Sequence, residues 1–263
     1  MTGLTYQIGH SLNLGTEILS LSVRIMYVTV GWHYSKQVFG CMMVYGHFTK
    51  YRFNSLQKLI LKVSLFSVAF FNFFNLSVSR SVAESTNYFF NIPITEIGFS
   101  SLFVSFFQML TLLMFLLTIY FVFYKNYQET KKLPSLNIIV PYLAFHVWWI
   151  PPIRQHEFYF LIVPFFHSLQ YLPFAYRLEV KRGEKNEMDH LLLSLKIIIL
   201  LIAGIMAFEI LPTFLDRSLD SYANFNTWYF MISFAVFINI HHFFIDSAIW
   251  KFDDPHVREK LLT

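Results

Sequence analysis

Seven apolar stretches long enough to cross a bilayer recur along the chain, near 17–35, 57–77, 101–124, 136–152, 157–176, 191–213 and 228–250. A helix rises about 1.5 Å per residue, so about 20 residues span a hydrocarbon core about 30 Å thick. Inside that core each backbone N–H and C=O has to find its partner within the protein, which leaves the helix as the structure for such runs. The expected fold is therefore all-α, a polytopic bundle of about seven transmembrane helices forming a single domain over 1–263. The first run has an open register: apolar character continues past Lys36 through VFGCMMVYG, so its helix can instead centre near His33.

Composition excludes the main alternative. Of 263 residues, 56% are hydrophobic and only 14% charged, where a soluble domain carries about a quarter charged residues. The 32 Phe, 15 Tyr and 5 Trp are more aromatic surface than a soluble globule of this size hides. Cys41 is the single cysteine, which rules out an intrachain disulfide and a cysteine-rich metal site. Metal chemistry is left to the 10 histidines and the carboxylates. The opening MTGLTYQIGH lacks the basic start and small-residue cleavage pattern of a secretory signal, so the first segment is expected to be retained as a span.

Orientation follows from the basic residues. Of the 20 Lys and Arg, 14 fall in the loops after segments 1, 3 and 5 and in the C-terminal tail. Only Arg80, Arg154 and Arg217 lie on the opposite side. Basic loops stay cytoplasmic, so the N-terminus is expected outside, the C-terminus inside, and the loops near 36–57, 125–135 and 177–190 in the cytoplasm. The net charge of +4 is accounted for by these loops and calls for no nucleic-acid partner. Trp148, Trp149, Trp228 and Trp250 fall at segment ends, as an interfacial aromatic belt requires. The expected location is an integral membrane one, in a bacterial cytoplasmic membrane.

Polar residues inside a bilayer are costly unless they pair or serve a site. Three segments carry them at one-turn spacing: His33 and Gln37 in GWHYSKQ, His167 and Gln170 in FFHSLQY, and His241, His242 and Asp246 in NIHHFFID. Spacings of three and four place a pair on one helix face. All three segments run from outside to inside, and each pair falls in the cytoplasmic half. Three histidines and a carboxylate at one depth form the donor set of iron or zinc, with a position left open for a reactant. The expected metal ligands are His33, His167, His242 and Asp246, with His241 competing for the place of its neighbour. Gln37 and Gln170 are placed behind them, orienting an imidazole or donating to the carboxylate. Tyr34 and Tyr171, next to expected ligands, are candidate proton donors, and Asp246 is also a candidate base.

Other polar residues are expected to be structural. His146 and His156 lie toward the outer side, Arg24 and Glu209 are an expected buried pair, and Lys62 and Lys196 can snorkel from near segment ends.

G-x-S-x-G, G-x-x-x-x-G-K-[ST] and H-E-x-x-H are all missing from the sequence, which removes the usual starting points of serine hydrolases, P-loop enzymes and gluzincins. Segment 7 has no lysine before Lys251 for a retinal Schiff base, so the rhodopsin comparison fails, and the H-x-x-x-H and H-x-x-H-H boxes of membrane desaturases are missing. The alkaline ceramidase type carries H-x-x-x-H on its last helix where this chain has H-x-x-x-D. No family is assigned on these residues.

The leading expectation is a metal-dependent membrane oxidoreductase, a non-haem iron oxygenase, hydroxylase or desaturase. It would act on a lipid or isoprenoid from the cytoplasmic side, with an electron-donor protein as partner. The alternatives are a zinc-dependent lipid hydrolase and a non-enzymatic haem-binding or transport protein.

Overall fold

The computed structural model describes the backbone of residues 2–76, 88–89, 92–93, 98–147, 190–223 and 229–249. The described chain is predominantly helical, and four of its helices are long and apolar enough to cross a membrane: Ser55–Asn75, Ser101–Thr130, Ser194–Leu219 and Tyr229–Asp246. These coincide with four of the seven expected segments. The expected segment at 157–176 lies outside the described residues, as do the four tryptophans of the expected belt.

Helix α1 runs Thr2–Phe48 without a break. The stretch after Lys36, expected as a loop, is therefore helical to Phe48. Its apolar residues continue the helix, and the stop comes only where Lys50 turns left-handed at φ 55°. At about 1.5 Å per residue α1 is about 70 Å long, more than twice the hydrocarbon thickness, so it extends well beyond any single crossing.

The chain divides into two compact units, the first comprising Met1–Thr29, Arg80–Thr95 and Glu179–Ile249, the second Val30–Ser79, Glu96–Leu178 and Trp250–Thr263.

In the second unit, the end of α1 is followed by α2 (Ser55–Leu76), α3 (Ser101–Leu117), a π-helical segment π1 (Thr118–Tyr124), α4 (Lys125–Thr130) and α5 (Leu136–Val147). Small residues bring α1 and α2 together. A Cβ on Gly31 would lie 3.1 Å from the Ala69 Cβ, and Ser35 one turn later donates to the Leu65 carbonyl at 3.3 Å. Close approach of this kind is how membrane helices gain packing where lipid offers no hydrophobic drive. The core gathers Val38, Met42, Ile60, Leu61, Leu65, Met114, Val122, Ile138 and Tyr142. At the other end of the α2–α3 pair, Phe74 packs edge-on against Phe99 and Phe103 and tilted against Phe107.

The α1–α2 turn is locked by polar side chains. Asn54 and Gln57 form a capping box: the Gln57 N–H donates to Asn54 Oδ1 at 2.8 Å and the Asn54 N–H to Gln57 Oε1 at 2.9 Å. The Gln57 amide nitrogen then reaches the Phe121 carbonyl at 3.1 Å, and the Tyr51 hydroxyl donates to the Val122 carbonyl at 3.0 Å. Both acceptors lie in π1, where Lys125 N–H bonds Tyr120 O, five residues back. A return from five-residue to four-residue pairing skips a carbonyl, and side-chain donors satisfy the groups left there. Burial pushes the Tyr51 phenol from its ordinary 10.0 up to about 12, with the Asn126 amide opposing part of that rise.

In the first unit, Tyr88–Phe89 and Ile92–Pro93 form a short antiparallel strand pair, Tyr88 opposite Pro93. The stretch 78–100, expected to be external, thus contributes the described strand pair. Helix α6 (His190–Ile205) passes through a second π segment, π2 (Met206–Ile210), into α7 (Leu211–Ala223), and α8 follows (Tyr229–Ile249). The helical run continues past the expected boundary at 213. Pro212 lies within this continuous run directly after π2, where its ring removes one backbone donor from the helical ladder. Asp216 of α7 is buried, and its two carboxylate oxygens accept from the Phe230 N–H at 2.7 Å and the Met231 N–H at 3.0 Å. It thereby caps the first turn of α8, a charge-assisted use of otherwise orphaned donors. Glu209 is exposed while Arg24 is buried, so the expected buried pair of these two residues is not formed. The α7 carboxylate engaged in the fold is Asp216 instead.

Candidate metal centre

Helix α8 carries the acidic member of the expected site. His242 and Asp246, four residues apart, meet on one face with Nε2 and Oδ2 3.4 Å apart. Asp246 is buried, at 8% exposure, and His242 is partly buried. Phe243, between them in sequence, is buried on the adjoining face. A carboxylate removed from water needs a positive charge or strong donors around it. His241 points elsewhere: it is exposed and its ring stacks on Phe237, centroids 5.5 Å apart and planes 15° apart. Consecutive residues on a helix are about 100° apart, so pairing with Asp246 falls to His242.

His33 and Tyr34 are both buried on α1, their ring centroids 6.0 Å apart, and Gln37 is half-buried one turn further along. The uninterrupted helix past Lys36 keeps His33 and Gln37 on one face, the register the sequence left open. His167, Gln170 and Tyr171 lie outside the described residues, as does His156.

A second polar cluster, in the second unit, was not anticipated as a group. Ser64 Oγ lies 2.8 Å from the Tyr142 hydroxyl and 3.1 Å from His146 Nε2. His146 Nδ1 is 2.9 Å from the Tyr142 backbone carbonyl. A carbonyl only accepts, so Nδ1 carries the proton, and in the neutral ring Nε2 accepts from Ser64. Ser64 then has no proton left for Tyr142, whose hydroxyl must donate to Ser64 Oγ. One direction of donation thus runs from Tyr142 through Ser64 to His146. The Tyr142 ring also packs on the imidazole, centroids 4.2 Å apart. The clue in the sequence is the four-residue spacing of Tyr142 and His146; nothing local in it identifies Ser64 as their partner. Ser64 and Tyr142 are fully buried, and the arrangement joins α2 to α5 as a packing network, the structural role expected for His146.

Lys62 is exposed, and its ammonium lies 5.0 Å from the Phe39 ring centroid.

Comparison of the chain with protein-family models, with curated proteins and with solved structures returns no match.

Proposed function

We propose that this chain is a membrane-embedded metalloenzyme in which His242 and Asp246 hold a transition metal together with His33 and His167. Gln37 and Gln170 orient that set, and Tyr34 and Tyr171 serve as proton donors. The observation that supports the reading is the 3.4 Å spacing of His242 Nε2 and Asp246 Oδ2. Two donors each about 2.1 Å from one ion, at a tetrahedral angle, stand about 3.4 Å apart. The ion would also place a positive charge beside the buried Asp246.

If the ion is iron, it would supply dioxygen activation at an open coordination position for oxidation of a lipid or isoprenoid chain, with electrons from a partner protein. A bacterial cytoplasmic membrane is the proposed location. The tetrahedral spacing also favours a second reading, a zinc-dependent lipid hydrolase in which the ion polarises a carbonyl and activates water. Metal and product together separate the two. Detergent-solubilised protein that contains iron and consumes dioxygen when given membrane lipids supports the oxidoreductase. Zinc with release of fatty acid supports the hydrolase, and neither metal in the purified protein overturns both.

A further inference from the structure

Two helices in the second unit end on left-handed residues, and both residues are lysines. At the end of α1, the Tyr51 N–H bonds the Gly46 carbonyl at 2.8 Å and the Lys50 N–H bonds the His47 carbonyl at 3.1 Å, with Lys50 at φ 55°. At the end of α4, the Lys131 N–H bonds the Tyr127 carbonyl at 2.8 Å, with Lys131 at φ 56°. Glycine is the usual residue at such helix ends, because a Cβ crowds the neighbouring carbonyl there. Lys131 Nζ donates to Gln128 Oε1 at 3.2 Å and lies 5.9 Å from the Tyr127 ring centroid, and both lysines place their charge at the helix end.

The fold also joins these two ends. Asn126 Nδ2 donates to the Arg52 carbonyl at 3.1 Å, beside the bonds from Tyr51 to Val122 and from Gln57 to Phe121. Lys50, Arg52 and Lys58 of the α1–α2 turn are thereby held beside Lys125, Lys131 and Lys132 of the π1–α4 end, and all of them are exposed. The only carboxylate in these two stretches is Glu129, 4.0 Å from Lys125 Nζ. Leu56 and Leu133, also exposed, adjoin the basic residues in sequence. The rule that basic loops stay in the cytoplasm explains why such residues occur here. It does not explain the hydrogen bonds that merge two turns into one surface.

We propose that this surface binds the headgroup phosphate of anionic phospholipids. It lies where the spans Ser55–Asn75 and Ser101–Thr130 meet at one end, the level at which headgroups are found. Basic clusters at that depth attract anionic lipid. The exposed leucines meet the upper acyl chain.

The test uses the purified full-length chain in detergent, titrated with phosphatidylglycerol or phosphatidylcholine and read by native mass spectrometry. The wild type is expected to prefer phosphatidylglycerol, with the preference shrinking as salt rises. The double variant Lys50→Gly/Lys131→Gly should lose about 25-fold in phosphatidylglycerol affinity, about fivefold per charge removed, with phosphatidylcholine binding unchanged. Its unfolding midpoint should match or exceed the wild type, because glycine relieves the left-handed crowding. Should that variant fold poorly, Lys58→Gln/Lys132→Gln removes two charges at ordinary backbone positions and is expected to show the same loss. Equal binding of the two lipids by the wild type overturns the proposal, as does full preference in a folded double variant. Displacement of phosphatidylglycerol by inorganic phosphate or by a short oligonucleotide at equal concentration would assign the surface to a soluble anion or a nucleic acid instead, and also overturns it.

Discussion

Gln57 donates from Nε2 to the Phe121 carbonyl, 3.1 Å away, while its Oε1 closes the capping box with Asn54. One side chain thus starts α2 and satisfies a carbonyl of π1. Gln57→Leu removes both side-chain bonds, leaving the Phe121 carbonyl and the Asn54 N–H without these partners, while the residue-57 N–H keeps Asn54 Oδ1. The expected cost is about 1–3 kcal/mol. Gln57→Glu keeps the acceptor of the box and loses the donor to Phe121, so its unfolding midpoint in detergent should lie between those of the wild type and Gln57→Leu.

Tyr51 makes the neighbouring contact, and its raised phenol pKa gives a pH signature. The folded state holds the proton more tightly than the unfolded chain, so this contribution is fully present below pH 10.0 and is lost as pH rises through about 12. Unfolding midpoints measured across that window should fall for the wild type. In Tyr51→Phe the part due to this residue should be missing, although the variant starts from lower stability at neutral pH because the Val122 carbonyl has lost its donor.

The Ser64, Tyr142 and His146 network predicts strong coupling. Ser64→Ala strands both the Tyr142 hydroxyl and His146 Nε2, at a cost of ~1–3 kcal/mol. Adding Tyr142→Phe removes one of the stranded groups, so the double variant should lose less than the sum of the single losses. A double-mutant cycle on unfolding free energies checks this, and additive losses would show that Ser64 and Tyr142 are not coupled through their hydrogen bond.

Asp216 is expected to hold the start of α8. Asp216→Ala frees the Phe230 and Met231 amides and should cost about 1–2 kcal/mol. Hydrogen exchange at those two amides should rise sharply, while exchange in the α1–α2 turn stays unchanged.

Much of this architecture is legible in the sequence because bilayer thickness imposes a length on apolar runs: four expected segments coincide with helices able to span. Charged residues mark boundaries less well. Lys36 reads as an end, yet α1 continues because a single basic side chain on a helix can rest its charge over Trp32, whose ring it covers at 4.3 Å. The π segments leave no periodic trace, since they differ from α-helix by one residue per turn and depend on donors such as Gln57 that come from a distant part of the chain. At the candidate site, the four-residue spacing foretold the meeting of His242 and Asp246, a property of a single helix. The choice of His242 over His241 also follows from helix geometry. Ser64 was invisible because its partners stand on another helix, and Asp216 because its oxygens serve the start of a different helix, α8.

Whether His242 and Asp246 are metal ligands is tested most directly by elemental analysis of the purified wild type beside His242→Ala, Asp246→Asn and His241→Ala, each shown to be folded. The account predicts a transition metal near one equivalent in the wild type and in His241→Ala, with loss of at least most of it in His242→Ala and Asp246→Asn. Full metal content in both of the latter variants, or a wild type that takes up neither iron nor zinc when supplied with them, would contradict it.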